Sequence, residues 1–188
     1  MMFDQGDILY LSSKKDGLSN IGGFIALRDK RLFDRLRYEI LRQESFPTSG
    51  GLAARDMAAM TNGLVDGLDE ELLRCHIGQV RFLADRLEQA GVRIFRPVGA
   101  HAVVVIPRVR GRHAAFALAA HLYLETGIRV GVFDDLVRLA VPRRVYTRNH
   151  MEHVAMSMGK AYAGKLPRLR TVYRPAEFEN FFTRFARA

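Results

Sequence analysis

Two apolar runs open the chain, Ile8-Leu9-Tyr10-Leu11 and Phe24-Ile25-Ala26-Leu27, and both read as short buried strands. Between them lies a polar turn that holds the adjacent lysines Lys14 and Lys15 and the pair Gly22-Gly23. The period then changes. Leu32, Phe33, Leu36, Ile40 and Leu41 recur at helical spacing between Arg28 and Gln43, with Asp29 placed as the N-cap. Pro47, Gly50 and Gly51 break that pattern into a loop. From Leu52 to Gln89 the pattern is helical almost throughout, with interruptions expected at Gly63 and Gly67. Leu72, Leu73, His76, Val80, Leu83 and Leu87 form one stripe of it, which makes His76 and its neighbour Cys75 packing residues, and Gly91 is placed to end it.

Beyond Gly91 the pattern becomes strand-like at 92–95 and 102–106, with Pro97-Val98-Gly99 turning between them. A helix is expected from His113 to Thr126, with Phe116, Leu118, Ala119, Leu122 and Tyr123 inside and Gly127 as its stop. Strands follow at 128–133 and 136–141, separated only by Asp134-Asp135, and the last long helix runs from Asn149 to Ala163. The tail carries Phe178, Phe181, Phe182 and Phe185, spaced for an aromatic face expected to be mostly core.

Composition narrows the choices. A chain of 188 residues with 48% hydrophobic content can bury one real core, divided at most into two unequal lobes. No apolar run has the length of a bilayer span, and Asp4 and Asp7 stand where a signal peptide would carry positive charge. A single cysteine excludes an internal disulfide framework and fits a reducing cytoplasm. No Cys/His group has zinc spacing. The net charge of +9 raises nucleic-acid binding as a second hypothesis. Against it, the cations are spread along the chain, often beside Asp or Glu, and no nucleic-acid-binding motif accompanies them.

Two positions invite a chemical reading. Lys14 and Lys15 fit a solvated hairpin tip. Alternatively, a lysine at the end of a buried strand beside a second cation should have a lowered pKa and act as a nucleophile or carbonyl-condensing amine. Arg138 interrupts an otherwise apolar strand. It is either an edge-strand cation facing water or a bidentate fork for a carboxylate, since burying its charge without a partner is costly.

The segments Ser12-Ser13-Lys14-Lys15-Asp16 and Asn20-Ile21-Gly22-Gly23-Phe24 resemble the cofactor-lysine region of the β-eliminating lyases, tryptophanase and tyrosine phenol-lyase. The resemblance continues, in family order, through 46–57, Pro97-Val98-Gly99-Ala100-His101-Ala102, 137–147, Tyr173-Arg174-Pro175 and 180–185. In that family the lysine lies past the middle of a much longer chain, so this sequence is similar to the C-terminal portion of such an enzyme. The phosphate-cradling loop, the stacking aromatic and the ring-nitrogen aspartate all precede the lysine there.

The resemblance implies an α/β architecture, the end of a fold-type I large domain followed by a small α/β domain. Residues 1–62 would close the cofactor domain, 63–90 would connect, and 91–188 would form the small domain. It implies pyridoxal 5′-phosphate in Schiff-base linkage to Lys15, with Lys14 tuning the adjacent charge and the Asn20 backbone carbonyl as a ligand for potassium. Arg138 would grip the substrate α-carboxylate, Phe181 would line the substrate-ring pocket, and Ser49 and His101 would approach the site. Ser49 stands where the family pattern has tyrosine. The two-residue Asp134-Asp135 connection shortens a loop that helps select the ring, so the aromatic amino acid cannot be carried over. The reaction implied is β-elimination giving pyruvate and ammonia, in a cytoplasmic homo-oligomer or together with a separate N-terminal half; the alternative is a non-catalytic remnant or assembly subunit of such an enzyme.

Overall fold

Asp29 caps the first helix as its position suggests: its carboxylate accepts the Leu32 backbone N–H at 2.8 Å, and helix α1 runs Lys30–Glu44. The structure is a computed structural model that describes residues 2–15, 17–142 and 145–188, with the side chains of Met2, Phe3 and Asn180 left aside. Asp16, Arg143 and Arg144, which belong to the segments quoted above, lie outside the described residues. The chain divides into two units, one holding the described residues up to Arg74 with Pro142, the other 75–141 and 145–188.

In the first unit, strands β1 (Ile8–Ser12) and β2 (Gly23–Leu27) pair antiparallel, Tyr10 opposite Ile25. The pairing follows the apolar pattern, but the expected burial does not. Tyr10 is 81% exposed, and Ile8, Phe24 and Ile25 are exposed as well. A two-stranded ribbon has two faces and too few neighbours to cover both. Helix α1 likewise has no buried residue. Helix α2 spans Ala54–Asp66 and ends at Gly67, whose N–H returns to the Gly63 carbonyl at 2.9 Å. Gly63, expected to interrupt the helix, instead lies inside it and is buried.

Helix α3 spans Glu70–Gln89 and buries His76, Val80, Leu83, Ala84 and Leu87. The stripe is as the spacing predicts, except that Cys75 is exposed. One residue from a buried position on a helix turns the side chain about 100° away, enough to leave the core. The helix closes with a Schellman pair, Val92 N–H to the Leu87 carbonyl and Gly91 N–H to the Glu88 carbonyl, both 2.9 Å. Gly91 takes the positive φ (75°) this motif needs.

The second unit centres on a three-stranded antiparallel sheet of order β3-β5-β4, formed by β3 (Ala102–Val105), β4 (Gly131–Phe133) and β5 (Leu136–Ala140). Val103, Val105, Val137 and Leu139 share one face. They bury it with side chains of α3, of α4 (Arg112–Thr126) and of α5 (Arg148–Ala163) in one core. Residues 92–95 contribute only an isolated bridge, Ile94 opposite Val105. Tyr123, expected inside α4, is exposed. The tail forms a second ribbon that was not anticipated, β6 (Leu169–Tyr173) antiparallel to β7 (Arg184–Arg187), joined through the single turn α6 (Glu179–Phe182). Among the described residues no helix is long and apolar enough to cross a membrane.

Candidate active site

The lysine turn is built by serines. Ser13 and Ser19 are buried, and both hydroxyls donate to the Ile21 carbonyl at 2.9 Å. The Ser13 N–H bonds the Gly22 carbonyl at 3.1 Å, and the Ser19 N–H bonds the Ser13 carbonyl at 3.2 Å. Two buried hydroxyls converging on one carbonyl fix the loop far more tightly than a solvated tip requires. Lys14 is exposed and Lys15 half-buried, with its Nζ donating to Ser12 Oγ at 3.3 Å. The Asn20 carbonyl, at the exposed side of the same turn, accepts no hydrogen bond among the described residues.

Helix α2 supports this turn from below. A Cβ placed on Gly63 would collide with the Gly17 backbone carbonyl, and Leu18 Cβ stands 3.0 Å away. A cavity of about 910 Å³ in the same unit is lined by Tyr10, Phe24 and Ile25 of the ribbon, Phe33 and Ile40 of α1, and Ser49. Ser49 is therefore brought to an apolar cavity. Lys14, Lys15 and Asn20 are not among its lining residues.

In the second unit Arg138 occupies the central strand, paired with Val104 on one side and Gly131 on the other. An edge position, one of the two readings open to the sequence, is thereby ruled out. Strand alternation puts Arg138 on the face opposite Val137 and Leu139, where it is half-buried. The guanidinium makes no hydrogen bond or ion pair among the described residues. A β-carbon on Gly131 would lie 3.9 Å from Arg138 Nε, so the absence of a side chain there leaves space along the fork. His101 directly precedes β3, its carbonyl accepting the Val141 N–H at 2.7 Å. It sits three registers from Arg138, about 10 Å along the strand.

Phe181 is 81% exposed on α6, and Phe178 and Phe182 are exposed beside it. The aromatic face expected to be core is thus bare. Only Phe185 packs, 4.7 Å from Phe116 and edge-on to His113 at 5.5 Å. The sequence reading also missed an ionic feature of the tail. Glu179 is shared by Arg112 and Arg174, and the signal was available: an arginine in the first turn of a helix opposes the helix dipole unless a carboxylate compensates it.

The mixed helix and sheet is that of the larger α/β enzymes of fold type I, of which this chain matches a part. A solved structure of serine palmitoyltransferase, described with a pyridoxal phosphate internal aldimine, superposes with a TM-score of 0.56 at 17% identity. The match covers 82% of this chain and 39% of that one, a likeness of fold alone. Residues 1–157 match the beta-eliminating lyase family, and the chain belongs to that family. The probable tryptophanase of Aeropyrum pernix is 42% identical over 200 residues, covering 93% of this chain and 43% of that protein. The tyrosine phenol-lyase of Intrasporangium calvum is 38% identical over 209 residues, covering 98% and 44%. The chain spans less than half the length of these relatives.

Proposed function

We propose that this chain forms part of a pyridoxal phosphate-dependent carbon–carbon lyase that acts on an aromatic L-amino acid and releases pyruvate and ammonia. The observation that carries the proposal is Arg138. A guanidinium on a central strand, half-buried and without a hydrogen-bond or ion-pair partner among the described residues, is costly unless a ligand supplies the anion. Its planar fork suits the α-carboxylate.

The residues present fit the cofactor in one essential respect. Lys15 offers a primary amine on a turn made rigid by two buried hydroxyls, and would hold the cofactor's carbonyl carbon. Pyridoxal phosphate, when bound, supplies the electron sink for negative charge at Cα. Everything else falls to side chains. Released by the incoming amino acid, Lys15 Nζ takes the Cα proton, and the half-buried setting keeps that amine near its partner Ser12. Lys14 adds positive charge at the neighbouring position. Arg138 fixes the carboxylate and so the direction of the Cα–H bond. Ser49 and His101 border the substrate, and Phe181 meets its ring. The Asn20 carbonyl, which accepts no hydrogen bond among the described residues, would take a monovalent cation such as potassium.

The bare ribbon and the uncovered face of α1 support the view that this chain works with a further polypeptide, either the remainder of a longer chain or a separate half. Residues that cradle the cofactor phosphate and meet its ring nitrogen would come from there. The test is to titrate pyridoxal phosphate into the chain alone and into the chain joined, by fusion or in trans, to the N-terminal part of a related lyase. Pyruvate release from tyrosine and tryptophan is followed in both. Turnover is expected only in the joined form. Tight binding with full turnover by the 188-residue chain alone, or none from the joined form, would overturn the proposal.

A further inference from the structure

The segment that bears Phe181 has almost nothing apolar to hold it. Helix α6 is one turn long, entered through Phe178 at a left-handed φ of 54°. Three of the four phenylalanines at 178–185 point to solvent. What ties the turn down is ionic. One carboxylate oxygen of Glu179 accepts from Arg174, whose Nε lies at 3.0 Å and terminal nitrogen at 2.9 Å. The other oxygen is engaged at close range by Arg112, the first residue of α4. The Glu179 side chain is three-quarters covered, and Arg112 two-thirds. These groups line a cavity of about 360 Å³ together with His113 and Thr171, which are bonded to each other at 2.9 Å.

We infer that Glu179 is a positioning residue: clamped between Arg112 and Arg174, it holds the α6 turn so that Phe181 is presented at a fixed place to the ring of the substrate. The part concerning the ring rests on the function proposed above. A surface ion pair is ordinarily worth little. Here one partly covered carboxylate bridges two cations from different elements, and the exposed phenyl rings of the same turn contribute no burial that could substitute for it. Arg112 also gives the clamp its logic, because a cation in the first turn of α4 is unfavourable without that carboxylate. The Arg174 guanidinium enforces a hydrogen-bonded, ionised Glu179, which holds its carboxyl below the usual carboxylate range, with Arg112 adding to the effect against the cost of burial.

The first measurement is hydrogen exchange of the backbone amides at 178–183 in the 188-residue chain. Glu179→Gln should raise exchange there at least ten-fold while leaving β3, β5 and β4 unchanged. Arg112→Ala should do the same, and the double variant should add little to either. Unchanged exchange in Glu179→Gln would overturn the clamp. The second measurement uses the joined enzyme and compares an aromatic substrate with S-methylcysteine, which has a leaving group but no ring. Glu179→Gln should lower kcat/KM several-fold for the aromatic substrate, mainly through KM, and leave S-methylcysteine within two-fold. On a Phe181→Ala background it should do nothing further. Equal losses on both substrates would overturn the ring-positioning role. If the unaltered joined enzyme turns over neither substrate, the proposed function falls, and the exchange measurement still decides whether Glu179 holds the turn.

Discussion

Gly63 in α2 and Gly17 in the lysine turn approach so closely that a single methyl group on Gly63 would strike the Gly17 carbonyl. In an open helix Gly→Ala is stabilising by about 0.5–1 kcal/mol. Here the obstacle is backbone on both sides, which cannot rotate away, so the sign reverses. Gly63→Ala is expected to destabilise the first unit by about 1–3 kcal/mol, the usual cost of overpacking. It should also loosen the turn that carries Lys15. Urea unfolding measures the first effect, and the rate of Lys15 modification by a small acylating reagent measures the second.

Lys15→Ala, in the joined enzyme, should abolish both the absorbance of lysine-linked cofactor and elimination, because one amine serves both. Lys14→Ala should be milder, since it removes an exposed charge and no hydrogen bond of the turn. Absorbance titration and pyruvate release separate the two variants. Cofactor attached through position 14 instead would show that the residue assignment within the family motif is off by one.

Arg138→Ala should leave the cofactor spectrum intact and weaken the amino acid. A charge-assisted hydrogen bond contributes about 1.5–3 kcal/mol, so kcat/KM should fall by ~10-fold or more. Arg138→Lys should recover little, because an ammonium cannot reproduce the fork. Steady-state kinetics on both variants checks this, and kinetic silence in Arg138→Ala would remove the carboxylate role.

Glu179 also sets a pH dependence. Its carboxyl titrates below the ordinary glutamate range when folded, with Arg174 the largest cause and Arg112 adding to it. A depressed folded value means the clamp contributes fully above the unfolded value, about 4.3, and is lost as pH falls through the lower folded one. The exchange protection that separates the native chain from Glu179→Gln at 178–183 should therefore persist at pH 5 and above and close on further acidification. A difference that stays constant down to pH 2 would exclude the carboxylate as its source.

Helices were legible from the sequence because their signals are local. Asp29 caps α1, the stripe through His76 to Leu87 is buried, and Gly91 closes α3 through hydrogen bonds that only a positive φ allows. The strands at 8–11 and 24–27 were legible as a pair but not in their exposure. Hydrophobicity marks a residue that gains from being covered, not whether it is, and among the described residues the first ribbon stays largely exposed. Gly63 was misjudged because a glycine in a helical run looks like a break whenever its contact partner is 46 positions away. The Phe-rich tail was misjudged for the opposite reason. Phe185 packs against Phe116, whereas the rings at 178, 181 and 182 stand exposed, a difference that their spacing cannot reveal.

At the site, Lys15 and Arg138 were singled out by the family pattern more than by their surroundings in the sequence. The structure sets Lys15 on a turn held by Ser13 and Ser19, and Arg138 on a central strand.

Gly131 faces Arg138 across the β4–β5 ladder. A methyl group there would meet the arginine at ordinary contact distance, so alanine is sterically admissible. If Arg138 grips the carboxylate as proposed, its surroundings can be altered at position 131 in small steps with the arginine itself kept. A library restricted to that one codon would test the proposed carboxylate role without touching Arg138.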